Sequence, residues 1–285
     1  MTVLEVIQRS TDFLSRKGVE SPRLQVELLL AHVLQMPRMK LYLNFDRTLS
    51  EPELETLRSL IKRRAEREPL QHIVGSTSFC GFEFTVNRDV LVPRPETELL
   101  AEQAWGFLST PAGSAATVLD FGTGSGCLAI VIALKSPTAT VQAVDISEPA
   151  LAVARANALR HGVGERVHFH AGDGFKVVDP GIAFDLIVSN PPYLPELDLE
   201  NLEPEVKLEP ASALFSGHDG LDLARALVRI ARERLGPSGW LLLELDPRNA
   251  PTLRQELEDD GWRARLEADL SGRERFIVAR PKPRA

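Results

Sequence analysis

Two cysteines in 285 residues, Cys80 and Cys127, are too few for a disulfide framework, and neither sits in a metal-binding spacing. They read as small buried thiols of a protein kept in a reducing cytoplasm, and no metal site is expected. Long apolar runs are missing as well. The most apolar stretch, Val118 to Leu134, is broken by Asp120 and by Gly122, Gly124, Ser125 and Gly126, so no membrane span is expected. Glu5 and Arg9 interrupt the apolar part of the N-terminus, which argues against a secretory signal. A basic excess is the third absence. Up to Gly75 there are 12 basic and 10 acidic residues, and beyond it 21 and 30, so the main body is acidic. Binding a phosphate backbone depends on Lys and Arg neutralising it, so no stable nucleic-acid binding is expected. What remains, 44% hydrophobic and 26% charged, is the composition of a globular chain, and its length suits about two domains.

Residues 1–75 read as a small all-helical domain. Val3, Val6, Ile7, Phe13 and Leu14 recur at helical spacing until Gly18. Ser21-Pro22 reads as an N-cap with proline at the first helical position, followed by Leu24, Leu28, Ala31 and Leu34. Ser50 to Glu53 fits a capping box, ahead of Leu54, Leu57 and Ile61 on one face. That helix ends in Lys62-Arg63-Arg64 and Arg67, a basic tail suited to a helix C-terminus; it is either a solvated end or part of a partner-binding face.

Over residues 76–92 the period switches to that of strands. Phe79, Phe82, Phe84, Val86 and Val90-Leu91-Val92 are strand-like and Asn87-Arg88-Asp89 is turn-like, so a β-hairpin is expected to join two domains. From Pro93 to residue 285 strands alternate with helices. Strands are expected at 117–121, 140–145, 166–170, 184–189, 239–245, 262–267 and 274–280, and helices after Pro95 and at 126–135, 148–161, 220–235 and 249–260. This alternation predicts an α/β domain, a Rossmann-like, mostly parallel seven-stranded sheet covered on both faces. The last two strands, with only Asp269-Leu270-Ser271-Gly272 between them, are expected to form an antiparallel hairpin at the sheet end.

Two motifs fall at strand ends, where open α/β sheets bind ligands. In the first, Val118-Leu119-Asp120-Phe121 runs into Gly122-Thr123-Gly124-Ser125-Gly126, a turn whose glycines admit positive φ and close ligand approach. The spacing is G-x-G-x-G, not the dinucleotide G-x-G-x-x-G. The next strand ends in Asp145, a carboxylate suited to both hydroxyls of a ribose. Together they point to a nucleoside-containing cofactor. Asp120 is placed to face a cationic cofactor end. Asp173 is placed to accept from an exocyclic amine, and Phe175 to cover a base, with Gly174 as the alternative contact through its backbone.

The second motif is Asn190-Pro191-Pro192-Tyr193, after the fourth strand, which is expected to neighbour the first. Two prolines fix φ and remove two N–H donors, leaving as acceptors the Asn190 side-chain oxygen and the Pro191 carbonyl. Two acceptors on a rigid turn suit a planar –NH2, and Tyr193 is placed to pack on the group that bears it.

The glycine loop combined with Asn-Pro-Pro-Tyr resembles S-adenosylmethionine-dependent methyltransferases acting on planar –NH2 groups. The segments Glu68 to Gly75 and Pro93-Arg94-Pro95-Glu96-Thr97-Glu98 narrow this. So do Glu209-Pro210, Gly217-His218-Asp219-Gly220-Leu221-Asp222 and Arg275-Phe276. As a set they resemble the peptide chain release factor glutamine methyltransferases over nearly the whole chain. The resemblance implies a class I methyltransferase fold for 93–285 and a substrate-recognition role for 1–75. It also implies a cytoplasmic enzyme that methylates the Gly-Gly-Gln glutamine of class 1 release factors on its side-chain nitrogen. One departure is visible: Leu245-Asp246-Pro247 stands where the family usually has isoleucine and glycine.

Two alternatives stay open from the sequence, an amino-methyltransferase for adenine or guanine in nucleic acid and one for a ribosomal-protein glutamine. The segment from Leu194 to Asp219 carries Glu196, Asp198, Glu200, Glu203, Glu205, Glu209 and Asp219 against only Lys207. It reads either as a mobile solvated loop or as an acidic lid for a basic substrate surface, the second making substrate capture salt-sensitive.

Overall fold

The computed structural model describes residues 1–108 and 115–283. The chain divides into two compact units, one of residues 1–76 with 203–208, the other of 77–202 with 209–285.

The first unit is built on helices α1 (Val3–Arg16), α2 (Pro22–Val33), α3 (Arg38–Leu41), α4 (Glu51–Ala65) and α5 (Leu70–Val74). Val3, Val6, Ile7, Leu14, Val26, Leu29, Leu30, Leu57 and Ile61 form its core. Thr2 caps α1, its hydroxyl accepting from the Glu5 N–H while Glu5 accepts from the Thr2 N–H. Glu53 accepts from the Ser50 N–H at 2.8 Å, the reciprocal half of the expected capping box. Ser21 departs from expectation: it is left-handed (φ 45°), and its side chain makes no cap bond, so Pro22 alone marks the start of α2. In the basic tail of α4 Lys62 stays exposed, while the arginines find partners within the unit. Arg63 pairs with Glu68; Arg64 is buried and binds Gln25 and Glu205; Arg67 binds the Gly18 carbonyl and Glu205.

From Thr77 the second unit takes up the hairpin of β1 (Ser76–Phe79) and β2 (Phe82–Thr85), followed by α6 (Pro95–Leu108). The hairpin turns at Cys80-Gly81, both at positive φ (51° and 80°), the two-residue geometry that hairpins favour. The expected turn at Asn87-Arg88-Asp89 instead belongs to a loop, in which Asn87 accepts from the Asp89 N–H and Val86 and Val90 pack on Ala150 and Val153. Buried Asn157 binds both Thr85 backbone groups and the Ser125 carbonyl, which ties the hairpin to the glycine loop.

Then come β3 (Thr117–Phe121), α7 (Cys127–Lys135), β4 (Thr140–Asp145), α8 (Glu148–Arg160), β5 (Val167–Ala171) and β6 (Phe184–Ser189). The chain closes with α9 (Asp222–Arg234), β7 (Leu235–Glu244), α10 (Ala250–Asp259), β8 (Trp262–Ala268) and β9 (Glu274–Pro281). The seven strands lie in the order β5-β4-β3-β6-β7-β9-β8. β9 is antiparallel to both β7 and β8, and the other neighbouring pairs are parallel. One core lies against α6 and α7, around Leu100, Ile130, Leu186 and Leu242. The other lies against α9 and α10, around Leu119, Ile187, Leu227, Leu241 and Leu253. The order reverses between β3 and β6, which opens a crevice at their carboxyl ends.

Candidate active site

Ser189, the last residue of β6, donates its buried hydroxyl to the Phe121 carbonyl at the end of β3 (2.6 Å). This bond fixes the two strand tips against each other, with the glycine loop leaving one and Asn190 leaving the other. A cleft of about 290 Å³ opens there. Of the residues expected at the site, Gly122, Gly124, Asp145, Asp173, Gly174, Asn190 and Pro192 line it.

The glycine loop is held from below. The Gly122 and Thr123 N–H groups donate to the Val144 carbonyl at 2.9 and 3.0 Å. Gly122 and Gly124 have φ of 73° and 53°, and a Cβ on either would meet nothing within 4 Å. Their missing side chains leave open space. Asp145 is half-buried, and each of its oxygens has one backbone donor, Gly124 N–H at 2.8 Å and Ser147 N–H at 2.9 Å. A carboxylate oxygen has more than one lone pair, so both retain accepting capacity.

Thr123, Ser125 and Gly126 support the loop without lining the cleft. The Thr123 hydroxyl donates to Asp120 Oδ2 (2.6 Å), which also accepts from the Ala129 N–H (3.1 Å). Asp120 is fully buried, and burial pushes its carboxyl up to about 7 against the pull of those two bonds. Asp120 therefore clasps loop to helix and does not line the cleft. A Cβ on Gly126 (φ 81°) would lie 3.0 Å from both Ala154 and Ile130, so glycine lets α7 and α8 approach there.

Phe175 is buried and stacks on Phe121 with centroids 5.8 Å apart, so it is Phe121 that reaches the cleft. Asp173 is 80% exposed and pairs with Lys176 at 3.5 Å. Pro191 is buried. Tyr193 packs into the second core, burial pushes its hydroxyl pKa up, and its carbonyl accepts from Asn249 Nδ2 (3.0 Å). Asn190 donates from Nδ2 to Thr97 Oγ1 at 3.0 Å.

Several wall residues lie outside the two strand-end motifs. Asp89 and Leu91 come from the loop after the hairpin, Pro210, Ser212 and Ala213 from the long loop, and Ile146 follows Asp145. Glu209 anchors that wall, accepting from the Val92 N–H (2.8 Å) and pairing with Arg94. Ile146 had a usable signal, an apolar residue directly after a strand-end carboxylate; it is 69% exposed.

A release factor glutamine methyltransferase from Deinococcus radiodurans is 43% identical over 280 residues, 98% of this chain and 99% of its own. The chain belongs to the release factor glutamine methyltransferase family. A member from Geobacter sulfurreducens is 46% identical over 253 residues, 88% of this chain and 87% of its own. Residues 5–75 match the PrmC N-terminal domain and 97–203 the methyltransferase small domain. The crystal structure of a ribosomal protein L11 methylase from Lactobacillus delbrueckii shares the fold, with a TM-score of 0.51 and 22% identity over 70% of this chain and 84% of that one. In this release factor glutamine methyltransferase family member, Leu245-Asp246-Pro247 lies outside the cleft lining. Although half-buried, Asp246 stays below the usual carboxylate range because the Arg248 guanidinium and N–H hold it, and its carbonyl receives the N–H groups of Asn249 and Ala250 that open α10.

Proposed function

We propose that this family member transfers a methyl group from S-adenosylmethionine to the side-chain nitrogen of a glutamine, that of the Gly-Gly-Gln motif in class 1 peptide chain release factors. The cleft fits the cofactor. Gly122 and Gly124 leave room for its close approach, Asp145 offers two oriented oxygens for ribose hydroxyls, and Phe121, Leu91 and Ile146 supply apolar walls for a base. Asp173 and the Gly174 backbone are the polar groups at the base end. When bound, the cofactor supplies a methyl on a sulfonium, a good leaving group.

The observation that carries the reading is the attitude of Asn190. It stands in the cleft wall beside Pro192, and its amide nitrogen is engaged by Thr97. That leaves Oδ1 as its acceptor for a ligand. Asn190 Oδ1 and the Pro191 carbonyl accept the two hydrogens of the glutamine amide. An amide nitrogen is a weak nucleophile because its lone pair is shared with the carbonyl. Orienting it at the methyl contributes up to about 7–11 kcal/mol in favourable cases, and two accepted hydrogen bonds return electron density to it. No side chain is needed as base, since the amide proton leaves to solvent after transfer.

The helical unit carries a groove floored by Val6, Leu54, Leu57 and Ile61 and rimmed by Arg9, Arg58 and Lys62, a surface suited to holding a protein substrate. Among the described residues no helix is long and apolar enough to cross a membrane. Cytoplasmic release factors are the substrates of this reading. Labelled cofactor incubated with purified release factor, the same factor with its Gly-Gly-Gln glutamine replaced, a ribosomal protein, and nucleic acid tests it. Label in the intact release factor alone is expected. Label in nucleic acid or in the ribosomal protein, with none in the release factor, overturns it.

A further inference from the structure

The Asn190 amide is useful only one way round. An amide that presents its –NH2 to the substrate's –NH2 sets donor against donor. Something must therefore fix which end faces the cleft.

Thr97, in the first turn of α6, is 3% exposed, and its Oγ1 receives the Asn190 N–H. A hydroxyl that accepts still has one hydrogen to give. Glu244 ends β7, and β6 and β7 run in register with Ser189 opposite Leu243, so Asn190 and Glu244 each stand one residue beyond that pair. Glu244 is fully buried, and among the described residues neither carboxylate oxygen has a hydrogen-bond partner within 3.5 Å. The Thr97 hydroxyl and the guanidinium groups of Arg275 and Arg94 lie close enough to favour its ionised form; burial, the dominant influence, and Glu96 oppose it. Tyr193 also faces Glu244 and is kept neutral by burial and by that carboxylate. A buried carboxylate without donors is costly unless a donor turns to it.

We propose that Thr97 and Glu244 are positioning residues that set the polarity of the Asn190 amide, the Thr97 hydroxyl donating towards Glu244 and so accepting only Asn190 Nδ2, which keeps Oδ1 towards the cleft. Ionised, Glu244 only accepts, so it draws the hydroxyl hydrogen away from Asn190. With that pull removed, Thr97 can donate to Asn190 Oδ1, the amide turns over, and its –NH2 faces the substrate. This rests on the reading of Asn190 as the acceptor for the glutamine amide.

The test uses the full chain with its release factor. Thr97→Val keeps the shape and removes the hydroxyl; Thr97→Ser keeps the hydroxyl. Thr97→Val is expected to lower the single-turnover methylation rate about tenfold, the scale of one lost buried hydrogen bond, with release-factor KM and cofactor Kd within about twofold. Thr97→Ser recovers most of the rate. Combining Thr97→Val with Asn190→Ala slows the enzyme no further than Asn190→Ala alone. If Thr97→Val does not fold, Glu244→Gln carries the same comparison, because a carboxamide is no longer acceptor-only; the same rate loss at unchanged KM is expected. An unchanged rate in the folded variant, a loss confined to KM, or Thr97→Ser as impaired as Thr97→Val overturns the proposal. If Asn190→Ala is itself fully active, the parent reading falls. If Asn190→Ala is inactive and Thr97→Val is normal, only the positioning role falls.

Discussion

The Ser189 hydroxyl donates to the Phe121 carbonyl at 2.6 Å across the reversal point of the sheet. Two strand ends, to which the proposed function assigns different ligands, are thereby tied together. Methyl transfer depends on their separation, because alignment is the main thing the protein contributes. Ser189→Ala leaves a buried carbonyl without its donor, at a cost of about 1–3 kcal/mol. A lower melting temperature is expected, together with a slower single-turnover rate. A variant that loses melting temperature but keeps its rate would show that the bond serves stability alone.

Gly220 sits under the Asn-Pro-Pro-Tyr corner. It has a φ of 80°, and a Cβ would stand 2.1 Å from the Tyr193 carbonyl oxygen and 2.8 Å from Asn249 Nδ2. Gly272 has nearly the same φ, 82°, with open space around its Cβ direction. Left-handed backbone costs a non-glycine residue about 1–2 kcal/mol by itself. Gly272→Ala is expected to show that cost only and to keep full activity. Gly220→Ala must also move the Tyr193 carbonyl, so thermal melts are expected to rank it well below Gly272→Ala, and its rate falls as the corner shifts.

The strands flanking the cleft were legible because their patterns are local. Runs such as Val118-Leu119 and Ile187-Val188, followed by glycine or proline, fix both type and end, and β3, β4 and β6 match their expected ranges. The hairpin turn was not legible, since Cys80 at positive φ is no turn residue by composition, whereas Asn87-Arg88-Asp89 is. The start of β7 was hidden by Gly236-Pro237-Ser238-Gly239, which reads as a turn but lies within the strand, between its pairings of Leu235 with Phe184 and Trp240 with Leu186. At the site, Asn190 and Asp145 could be named from their motifs. Thr97 and Glu244 could not, because Thr97 lies 93 positions from Asn190 and no local spacing joins them.

Acidity along the long loop suggested a charged lid; four of its seven carboxylates have arginine partners, while Glu196, Glu200 and Glu203 are exposed. Asp198 pairs with Arg248 (2.7 Å), Glu205 with Arg67 (2.6 Å), Glu209 with Arg94 and Asp219 with Arg225 (2.7 Å). A carboxylate neutralised by its own chain steers a basic partner weakly. The release-factor KM is therefore expected to change less than about threefold between roughly 50 and 300 mM salt. A steep rise in KM over that range would show that the loop's charge is available to the substrate.

Two buried carboxyls make stability fall as pH rises. Burial lifts Glu244 from 4.5, and Asp120 from 3.8, to about 7. Between its unfolded and folded values each binds more protons folded than unfolded, so its stabilising contribution is complete below the unfolded value and is lost as pH climbs through about 7. Glu244→Gln removes one of the two. Its melting temperature relative to the parent chain is expected to rise from pH 5 to pH 8. A difference independent of pH would mean that Glu244 titrates alike folded and unfolded.

Asp145 and Asp173 both line the cleft, yet their surroundings assign them different weights. Asp145 receives two backbone N–H groups, one from each side, and is held rigidly with accepting capacity to spare. Asp173 is exposed and paired loosely with exposed Lys176, so it is screened by water. Asp145→Asn replaces one accepting oxygen by a donor that must face either the Gly124 or the Ser147 N–H, which disrupts the loop and costs a ribose acceptor. Hydrogen bonds to a charged group are worth about 1.5–3 kcal/mol each. Calorimetric titration with S-adenosylmethionine is expected to show at least about a tenfold loss of affinity for Asp145→Asn and less than about threefold for Asp173→Asn. Equal losses would show that the two carboxylates carry the same weight.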